Sequence, residues 1–260
     1  MPDADVMSTT LTAGAVSRLR LGLALWLAGM LGVVVVTTTV LPRLLAEVEL
    51  PAPLWVLSLA SLAQSATLLA LAVWAGVALA PAVGLRAPAF EAAVSGRPIS
   101  PALRPQLFPG VTAGLFGGVL LFTALRLAPA ALTAVQEQFK LNLAARVLYG
   151  GVTEELLLRW GIMTALAWLS WRLLQRRQGA VHAGYVWLAN LVSALLFAAG
   201  HLPAAAAMID VLDANIVAFV IGWNAAFGLL FGYLFCRYGL ESAMLAHALS
   251  HVVSELGDMA

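Results

Sequence analysis

Long stretches of apolar residues, separated by short polar segments, run through the whole chain. Seven stretches are predicted to form helices of roughly the 20 residues needed to cross the hydrocarbon core of a bilayer. The stretches are 21–42, 50–85, 108–125, 147–171, 183–201, 214–236 and 238–256, and the helix within 50–85 is framed by Pro51, Pro53 and Pro81. The last is the least apolar, because Glu241 and Glu255 both lie within it. The pattern therefore predicts an all-α, polytopic transmembrane helix bundle with about seven spans.

Two polar segments interrupt this pattern. Residues 86–105 carry three arginines and several prolines, which predicts a loop or a segment lying on the membrane surface. Residues 130–146 are of mixed polarity and are predicted to lie at the interface as an amphipathic stretch. No internal repeat or low-complexity linker is visible, so residues 1–260 are predicted to form a single integral-membrane domain.

Composition supports a membrane protein and excludes several other classes. Hydrophobic residues make up 62% of the chain and charged residues 10%, whereas roughly a quarter of the residues in a soluble domain are charged. A net charge of +1 provides no basic surface for nucleic acid. The single cysteine excludes an intrachain disulfide framework and a cysteine-based zinc cluster. Catalysis would therefore depend on Glu, His, Asp, Ser or Thr.

The placement of the basic residues orients the predicted bundle, because cytoplasmic loops carry the positive excess. An N-terminus in the cytoplasm places nine arginines on the cytoplasmic side and four basic residues on the other. The nine are Arg18, Arg20, Arg86, Arg97, Arg104, Arg172, Arg176, Arg177 and Arg237, and the four are Arg43, Arg126, Lys140 and Arg146. Together with an Ala-, Leu- and Arg-rich composition, this predicts an integral protein of the bacterial cytoplasmic membrane.

Ionisable residues inside the fourth predicted span are candidates for function, because charge at membrane depth is costly. Glu155 and Arg159 lie four residues apart on one helix face and can neutralise each other. Glu154 projects about 100° away around the helix, which leaves it without that partner. Desolvation makes an unpaired carboxylate a better base, as general-base catalysis requires. The alternative is a structural ion network that holds the helix in the bundle.

Three of the four histidines also lie in predicted spans. His201 follows Phe197 by four residues at the end of the fifth span, where a lone histidine is as often interfacial as a ligand. His247 and His251 share one face of the last helix. Their spacing suits either a metal site or two imidazoles that hydrogen-bond one substrate group. Neither a His-Glu-x-x-His nor a Gly-x-Ser-x-Gly motif is present, so zincin and serine-hydrolase mechanisms are not predicted.

Together, these motifs resemble those of the CPBP family of intramembrane proteases, also called the Abi or CAAX-protease (Rce1-like) family. That family shows Glu-Glu-x-x-x-Arg, Phe-x-x-x-His and His-x-x-x-Asn/Asp on successive transmembrane helices. The matching positions here are Glu154, Glu155, Arg159, Phe197, His201, His247 and His251. The resemblance covers residues 145–256, the predicted catalytic core. Its last position departs from the family pattern, because His251 replaces Asn or Asp, although neutral histidine also donates a hydrogen bond.

The resemblance implies hydrolysis of a peptide bond in a membrane-associated protein or peptide. Glu154, helped by His201, would activate a water molecule as in a glutamic-type protease. His247 and His251 would stabilise the oxyanion of the tetrahedral intermediate. Phe197 is predicted to be a packing residue. The resemblance also implies that Glu155 and Arg159 support the catalytic residues without contacting the substrate.

No cofactor is predicted, with a zinc-dependent protease as the alternative. Glu154, His201 and His247 could supply three zinc ligands with water as the fourth, but no carboxylate would then remain free as a base. Two non-protease interpretations also stay open. One is a membrane interaction or immunity protein of the same family, and the other is a transporter with a proton relay. The inverted repeats and paired broken helices of transporters are not visible.

The predicted orientation determines the face to which the site opens. With the N-terminus inside, the fourth span runs inward, so Glu154 lies in its outer half, and His201 ends the fifth span on the same side. An extracytoplasmic site suits the maturation of exported proteins, as in myxosortase-like members of the family. Prenylated CAAX substrates would need a cytoplasmic opening.

Reporter fusions test this topology. A reporter that is active only in the periplasm should be active when fused after Arg146 and inactive when fused after Arg177, because these residues flank the fourth span. Activity at Arg177 would show that the orientation is inverted.

Overall fold

The computed structural model describes residues 17–46 and 49–259, apart from the side chains of 136–138. The part of the predicted domain before residue 17 lies outside the described residues. Within the described ranges the chain forms nine helices and no strands, which confirms the all-α fold class. The helices are α1 (Arg18–Leu44), α2 (Leu54–Val83), α3 (Pro88–Val94), α4 (Ile99–Arg126), α5 (Ala130–Gln138), α6 (143–173), α7 (Ala183–Ala206), α8 (Ala214–Tyr238) and α9 (Leu240–Met259).

Among the described residues, five helices are long and apolar enough to cross a membrane: α1, α2, α4, α7 and α8. The other two predicted spans, α6 and α9, carry most of the candidate site residues, and their charges make them less apolar. They still pack lengthwise within the bundle, α6 against α1 and α2, and α9 against α4 and α6. The predicted membrane bundle is therefore confirmed, and its seven long helices fit the predicted number of spans.

Contacts between neighbouring helices fix their relative directions. α4 and α9 run in the same direction, because Gly110 faces Ser242 and Gly118 faces Val253. The pairs α1–α6, α6–α9 and α7–α8 are antiparallel. The C-terminal ends of α1, α4, α7 and α9 consequently meet the N-terminal ends of α6 and α8. We call this the distal end of the bundle, opposite Arg18.

The polar segment 86–105 is more helical than predicted. It contains α3, and α4 already begins at Ile99, nine residues before the predicted start of the third span. Pro101 lies in the first turn of α4, where no intrahelical hydrogen bond is lost. Pro105 and Pro109 lie inside the helix, and membrane helices tolerate such prolines because neighbouring helices and side chains satisfy the freed backbone groups.

Most of α6 is wound more widely than an α-helix. Arg146–Glu154 and Leu156–Met163 are π-helical, with hydrogen bonds that span five residues instead of four. Each residue therefore turns through less than the about 100° of an α-helix. The predicted consequence of the helical spacing holds nonetheless, because Arg159 pairs with Glu155 and not with Glu154. π-Helical turns are frequent at functional sites.

Glycines on α4 allow close contact with α9. A Cβ atom at Gly118 would lie 2.4 Å from the Cβ of Val253, and one at Gly114 would lie 2.7 Å from the Cβ of Leu249. Small residues have this role in membrane bundles, where van der Waals packing replaces the hydrophobic driving force between helices. The position of α9, and hence of its histidines, depends on this contact.

We expect Gly118→Ala to destabilise the protein, because the added methyl overlaps Val253. Overpacking of this kind costs about 1–3 kcal/mol, so the Tm measured in detergent should fall by several degrees. Gly222→Ala on α8 is the matched control, since a Cβ there has open space around it. An equal Tm for both variants would contradict the tight α4–α9 contact.

Candidate active site

A cavity of about 860 Å³ lies at the distal end of the bundle. Residues of α1 and of α4 through α9 form its mostly apolar walls. Four of the predicted site residues line it, namely Glu154, His201, His247 and His251. The other two, Glu155 and Arg159, lie behind the wall with no exposed surface. The structure therefore brings together all six residues singled out from the sequence.

The buried carboxylate of Glu155 has two partners. Its Oε2 lies 3.3 Å from Nε of Arg159, and its Oε1 accepts a hydrogen bond of 2.8 Å from Nδ1 of His247. The first contact is the ion pair that the four-residue spacing predicts. The second contact joins α6 to α9 and was not predicted from the sequence. Because a carboxylate only accepts, Nδ1 of His247 carries a proton, and its Nε2 can donate only when the imidazole is doubly protonated.

Arg159 ties α6 to two further helices. Its Nη2 donates to the carbonyl oxygen of Gly228 at 3.0 Å. The guanidinium carbon lies 4.8 Å from the ring centroid of Phe197 and 5.8 Å from that of Phe231. Cation–π contacts are strongest when desolvated, as here. Arg159 thus acts within the protein interior and does not face the cavity.

The carboxylate of Glu154 faces the cavity and lies opposite Nε2 of His247, the imidazole nitrogen that does not contact Glu155. Its Oε2 lies 4.0 Å from Nε2 of His247, which is too long for a direct hydrogen bond but short enough for one water molecule to bridge. Glu154, Glu155 and Arg159 together carry one net negative charge. The imidazole of His247 lies between the two carboxylates, with Nδ1 towards Glu155 and Nε2 towards Glu154.

His201 is oriented by its own helix. Its Nδ1 donates to the carbonyl oxygen of Phe197 at 2.8 Å, so Nε2 of the neutral ring is left as an acceptor. The ring of Phe197 packs edge-on against His201 at 4.7 Å and against His247 at 6.1 Å between centroids. Phe197 is therefore the packing residue that the sequence predicted, holding both imidazoles from one side.

His251 lies beside His247, with the ring centroids 5.1 Å apart. Its Nδ1 is buried and has no hydrogen-bond partner among the described residues, and a buried N–H without an acceptor is costly. The proton of neutral His251 is therefore favoured on Nε2. Both Nε2 atoms face the backbone of Gly150, where an added Cβ would lie 3.0 Å from that of His251 and 3.3 Å from that of His247.

Sequence reasoning missed three residues of the site: Gly150, Gly228 and Phe231. Phe231 stacks on His247, with ring centroids 4.5 Å apart and planes 18° apart. It ends a row of aromatic residues spaced four apart on α8, Phe219, Trp223, Phe227 and Phe231. That spacing was visible in the sequence and could have indicated an aromatic face towards the site. The pair of glycines that precedes Glu154, Gly150 and Gly151, was also visible in the sequence.

The donor groups do not fit a metal ion. Among the side chains that the structure describes, no three from His, Cys, Asp or Glu are arranged to ligate one. Glu155, a potential ligand next to the site, is already held by Arg159 and His247. The absence of zinc from the reaction stays a prediction.

Residues 136–253 match the model of the protein family described as Type II CAAX prenyl endopeptidase Rce1-like. This segment contains all three motifs, so the resemblance inferred from them is confirmed. Residues 136–253 are thus similar to the Rce1-like family, and this similarity supports the activity of a membrane-embedded protease in general. No curated protein and no solved structure matches the chain significantly.

We expect Gly150→Ala to abolish peptide hydrolysis while leaving the fold intact. The methyl group would press against the cavity-facing Nε2 atoms of His247 and His251, the atoms available to a substrate. Gly200→Ala is the control, because a Cβ next to His201 meets no atom within 4 Å. Turnover and size-exclusion profile are measured for both variants. Full activity of Gly150→Ala would show that the space beside the two imidazoles is not needed.

Proposed function

We propose that this protein is an intramembrane endopeptidase in which Glu154 activates the water that attacks the peptide bond. The observation that carries this proposal is the 4.0 Å gap between Glu154 and the Nε2 of His247, inside a cavity with apolar walls. Water at this gap can contact both groups, and the apolar surroundings strengthen every charge interaction in it. A peptide segment of a membrane-associated protein enters from the distal end.

Hydrolysis begins with removal of a proton from the bridging water by the carboxylate of Glu154. The water oxygen bonds to the carbonyl carbon of the substrate, and the electron pair of the C=O bond moves onto its oxygen. Nε2 of His201 accepts the second hydrogen bond of the water and orients it. Glu154 then passes its proton to the amide nitrogen, the C–N bond breaks, and a carboxylic acid and an amine are released.

The developing oxyanion is stabilised by Nε2–H of His247 and of His251. Preorganised donors of this kind typically contribute a factor of about 10²–10³ to kcat each. His247 donates as an imidazolium, whose charge Glu155 balances from behind. Histidine at position 251 thus provides the donor that the family usually takes from Asn, while Phe231 and Phe197 keep the imidazoles from rotating.

The membrane face follows from combining the helix directions with the arginine distribution. The cavity lies at the distal end, opposite Arg18. With the N-terminus in the cytoplasm of a bacterium, the distal end faces the periplasm. The natural substrates are then tails of exported or surface-anchored proteins, as for myxosortase-like members, and not cytoplasmic CAAX tails.

Glu154→Gln should abolish cleavage with little change in yield or Tm, because Glu154 makes no direct hydrogen bond to His247 and glutamine has nearly the same size. Glu155→Gln and Arg159→Leu are the comparison, and each should lower Tm and activity together, since breaking a buried pair costs about 3–5 kcal/mol. Quantitative proteomics of protein termini in membranes of cells carrying each variant measures the cleavage. Uncleaved tails should accumulate with Glu154→Gln. Normal processing by the Glu154→Gln variant would contradict the assignment of Glu154 as the base.

The purified enzyme should contain well under one equivalent of zinc and keep its activity after extensive chelation. The physical reason is that Glu154, Glu155 and Arg159 together carry one net negative charge, so a dication would leave the pocket positive without a counter-anion. Elemental analysis and turnover before and after chelation provide the measurement. Stoichiometric zinc, with activity lost on removal and restored on re-addition, would overturn the glutamate mechanism.

A further inference from the structure

The turn between α6 and α7 holds two arginines in a backbone conformation that arginine rarely adopts. Arg176 has a φ of 54° and Arg177 has a φ of 59°. Among the residues that the structure describes, these are the only two other than glycines with a positive φ. The left-handed region is unfavourable for a residue with a Cβ atom, whereas glycine enters it without that cost. An outlier of this kind points to a function of the side chains.

Hydrogen bonds from neighbouring residues keep the turn in this shape. The side-chain amide of Gln175 donates to the carbonyl oxygen of Gln178 at 2.6 Å, and its Oε1 accepts from the backbone N–H of His182 at 2.9 Å. Nε1 of Trp171 donates to the carbonyl oxygen of Gly179 at 3.0 Å. No guanidinium group takes part in these bonds. The shape of the turn therefore does not depend on the arginine side chains.

Three arginine side chains are exposed on this turn, which we call the arginine turn (residues 172–178). They are Arg172, Arg176 and Arg177. Among the side chains that the structure describes, no carboxylate lies within 4.0 Å of any of the three. Residues 156–209 contain no Asp or Glu at all. Since each guanidinium has five N–H donors, the turn can bind an anion from outside the protein.

The helix dipole accounts for only one of the three arginines. Arg172 lies in the last turn of α6 and above the ring of Trp168, with its guanidinium carbon 5.1 Å from the ring centroid. A cation at that position interacts favourably with the C-terminal end of the helix. Arg176 and Arg177 follow the helix, in a conformation that glycine would adopt more easily. Their side chains are therefore explained better by a ligand than by the stability of the fold.

A row of exposed aromatic side chains beside the turn indicates its depth in the membrane. Trp187 is 53% exposed and stacks on Tyr233, with ring centroids 6.1 Å apart, and Tyr238 lies 6.4 Å from Tyr233. Exposed Trp and Tyr are enriched where lipid headgroups begin. Trp187 lies four residues after the start of α7, which is about 6 Å along the helix. The arginine turn, which precedes α7, consequently lies just beyond this row, at the level of the lipid phosphates.

We infer that the arginine turn binds the phosphate group of anionic phospholipids, at the end of the bundle opposite the cavity. The planar guanidinium groups of Arg176 and Arg177 match two phosphate oxygens each. The aromatic row favours a lipid over an acidic soluble protein, because it places the turn within the headgroup layer. With the predicted N-terminus in the cytoplasm, this is the cytoplasmic leaflet, whose anionic lipids attract basic segments. The site takes no part in peptide hydrolysis and does not depend on the proposed function.

Native mass spectrometry of the full-length protein in detergent tests this inference. The probes are phosphatidylglycerol and phosphatidylcholine with identical acyl chains, which differ in net charge but not in their apolar part. We expect phosphatidylglycerol to bind at least about tenfold more tightly, as charge-assisted hydrogen bonds would provide. Raising the ionic strength should reduce this ratio.

Variants of the turn assign the preference to its arginines. The double variants Arg176→Gly/Arg177→Gly and Arg176→Gln/Arg177→Gln should bring the ratio close to one. The lipid-free Tm of the glycine variant should be unchanged or higher, because glycine removes the left-handed strain. Arg176→Lys/Arg177→Lys should retain part of the ratio, since lysine keeps the charge without the planar fork. The matched control is Arg97→Gln/Arg104→Gln, which removes two exposed arginines at the same end of the bundle and should leave the ratio unchanged.

Each other outcome overturns the inference in a defined way. Equal binding of the two lipids, or a preference that the glycine variant keeps, would show that the turn is not a lipid site. An equal loss in the Arg97→Gln/Arg104→Gln control would reduce the effect to general attraction by a cationic surface. A preference lost only together with a lower lipid-free Tm in all three turn variants would assign the arginines a structural role.

Two soluble competitors distinguish the source of the anion. Glycerol 1-phosphate at a concentration equal to that of the lipid should not displace phosphatidylglycerol, because it lacks the acyl chains that hold a lipid beside the aromatic row. Displacement would show that the turn takes a free phosphate. Tighter, turn-dependent binding of a hexaglutamate peptide than of phosphatidylglycerol would show that the partner is an acidic protein segment. Either result would overturn the lipid assignment.

Discussion

The buried carboxylate of Glu155 is the group on which the arrangement of the site depends. It has no exposed surface, so its charge must be compensated inside the protein, and Arg159 and His247 provide that compensation. Removing either partner leaves an uncompensated charge in a medium of low dielectric constant. Since Arg159 also binds the carbonyl of Gly228, one ion pair holds α6, α8 and α9 together. The same contact fixes the tautomer of His247 and turns its Nε2 towards the cavity.

Close approach of backbones is the second constraint. A Cβ atom at Gly32 would lie 2.4 Å from the hydroxyl of Thr153, which itself donates to the carbonyl of Gly29 at 2.7 Å. Gly151 has the same role against Ala248, one turn from the site. Glycines on α1 and α6 thus bring α6 so near to its neighbours that its polar groups are paired within the bundle. Without this proximity the charged side chains of α6 would face lipid, where the free-energy cost of a charge is highest.

The cavity combines an apolar wall with two distinct polar ends. At one end Glu154, Glu155 and Arg159 carry one net negative charge, and at the other Arg146 and Lys140 bind the carboxylate of Glu255. The aromatic row of α8 lines the cavity from Phe219 to Phe231, which stacks on His247.

The sequence by itself determined the helical bundle, the region of the site and one ion pair. Apolar stretches of span length leave no alternative to helices in a membrane, and the helices starting at Ala183 and Ala214 begin where predicted. The pairing of Glu155 with Arg159 followed from local spacing, because four residues is a distance that the helix itself fixes.

Only the tertiary structure decided how the motifs meet. His247 is 92 residues from Glu155, so no local rule could assign it as the second partner. The wide winding of α6 was equally invisible, because α- and π-helices both satisfy the backbone internally and hydropathy does not distinguish them. In the folded protein, Glu154 and Glu155 lie at opposite nitrogens of the imidazole of His247. The site depends on this juxtaposition, which arises from packing between helices and not from any single segment of the chain.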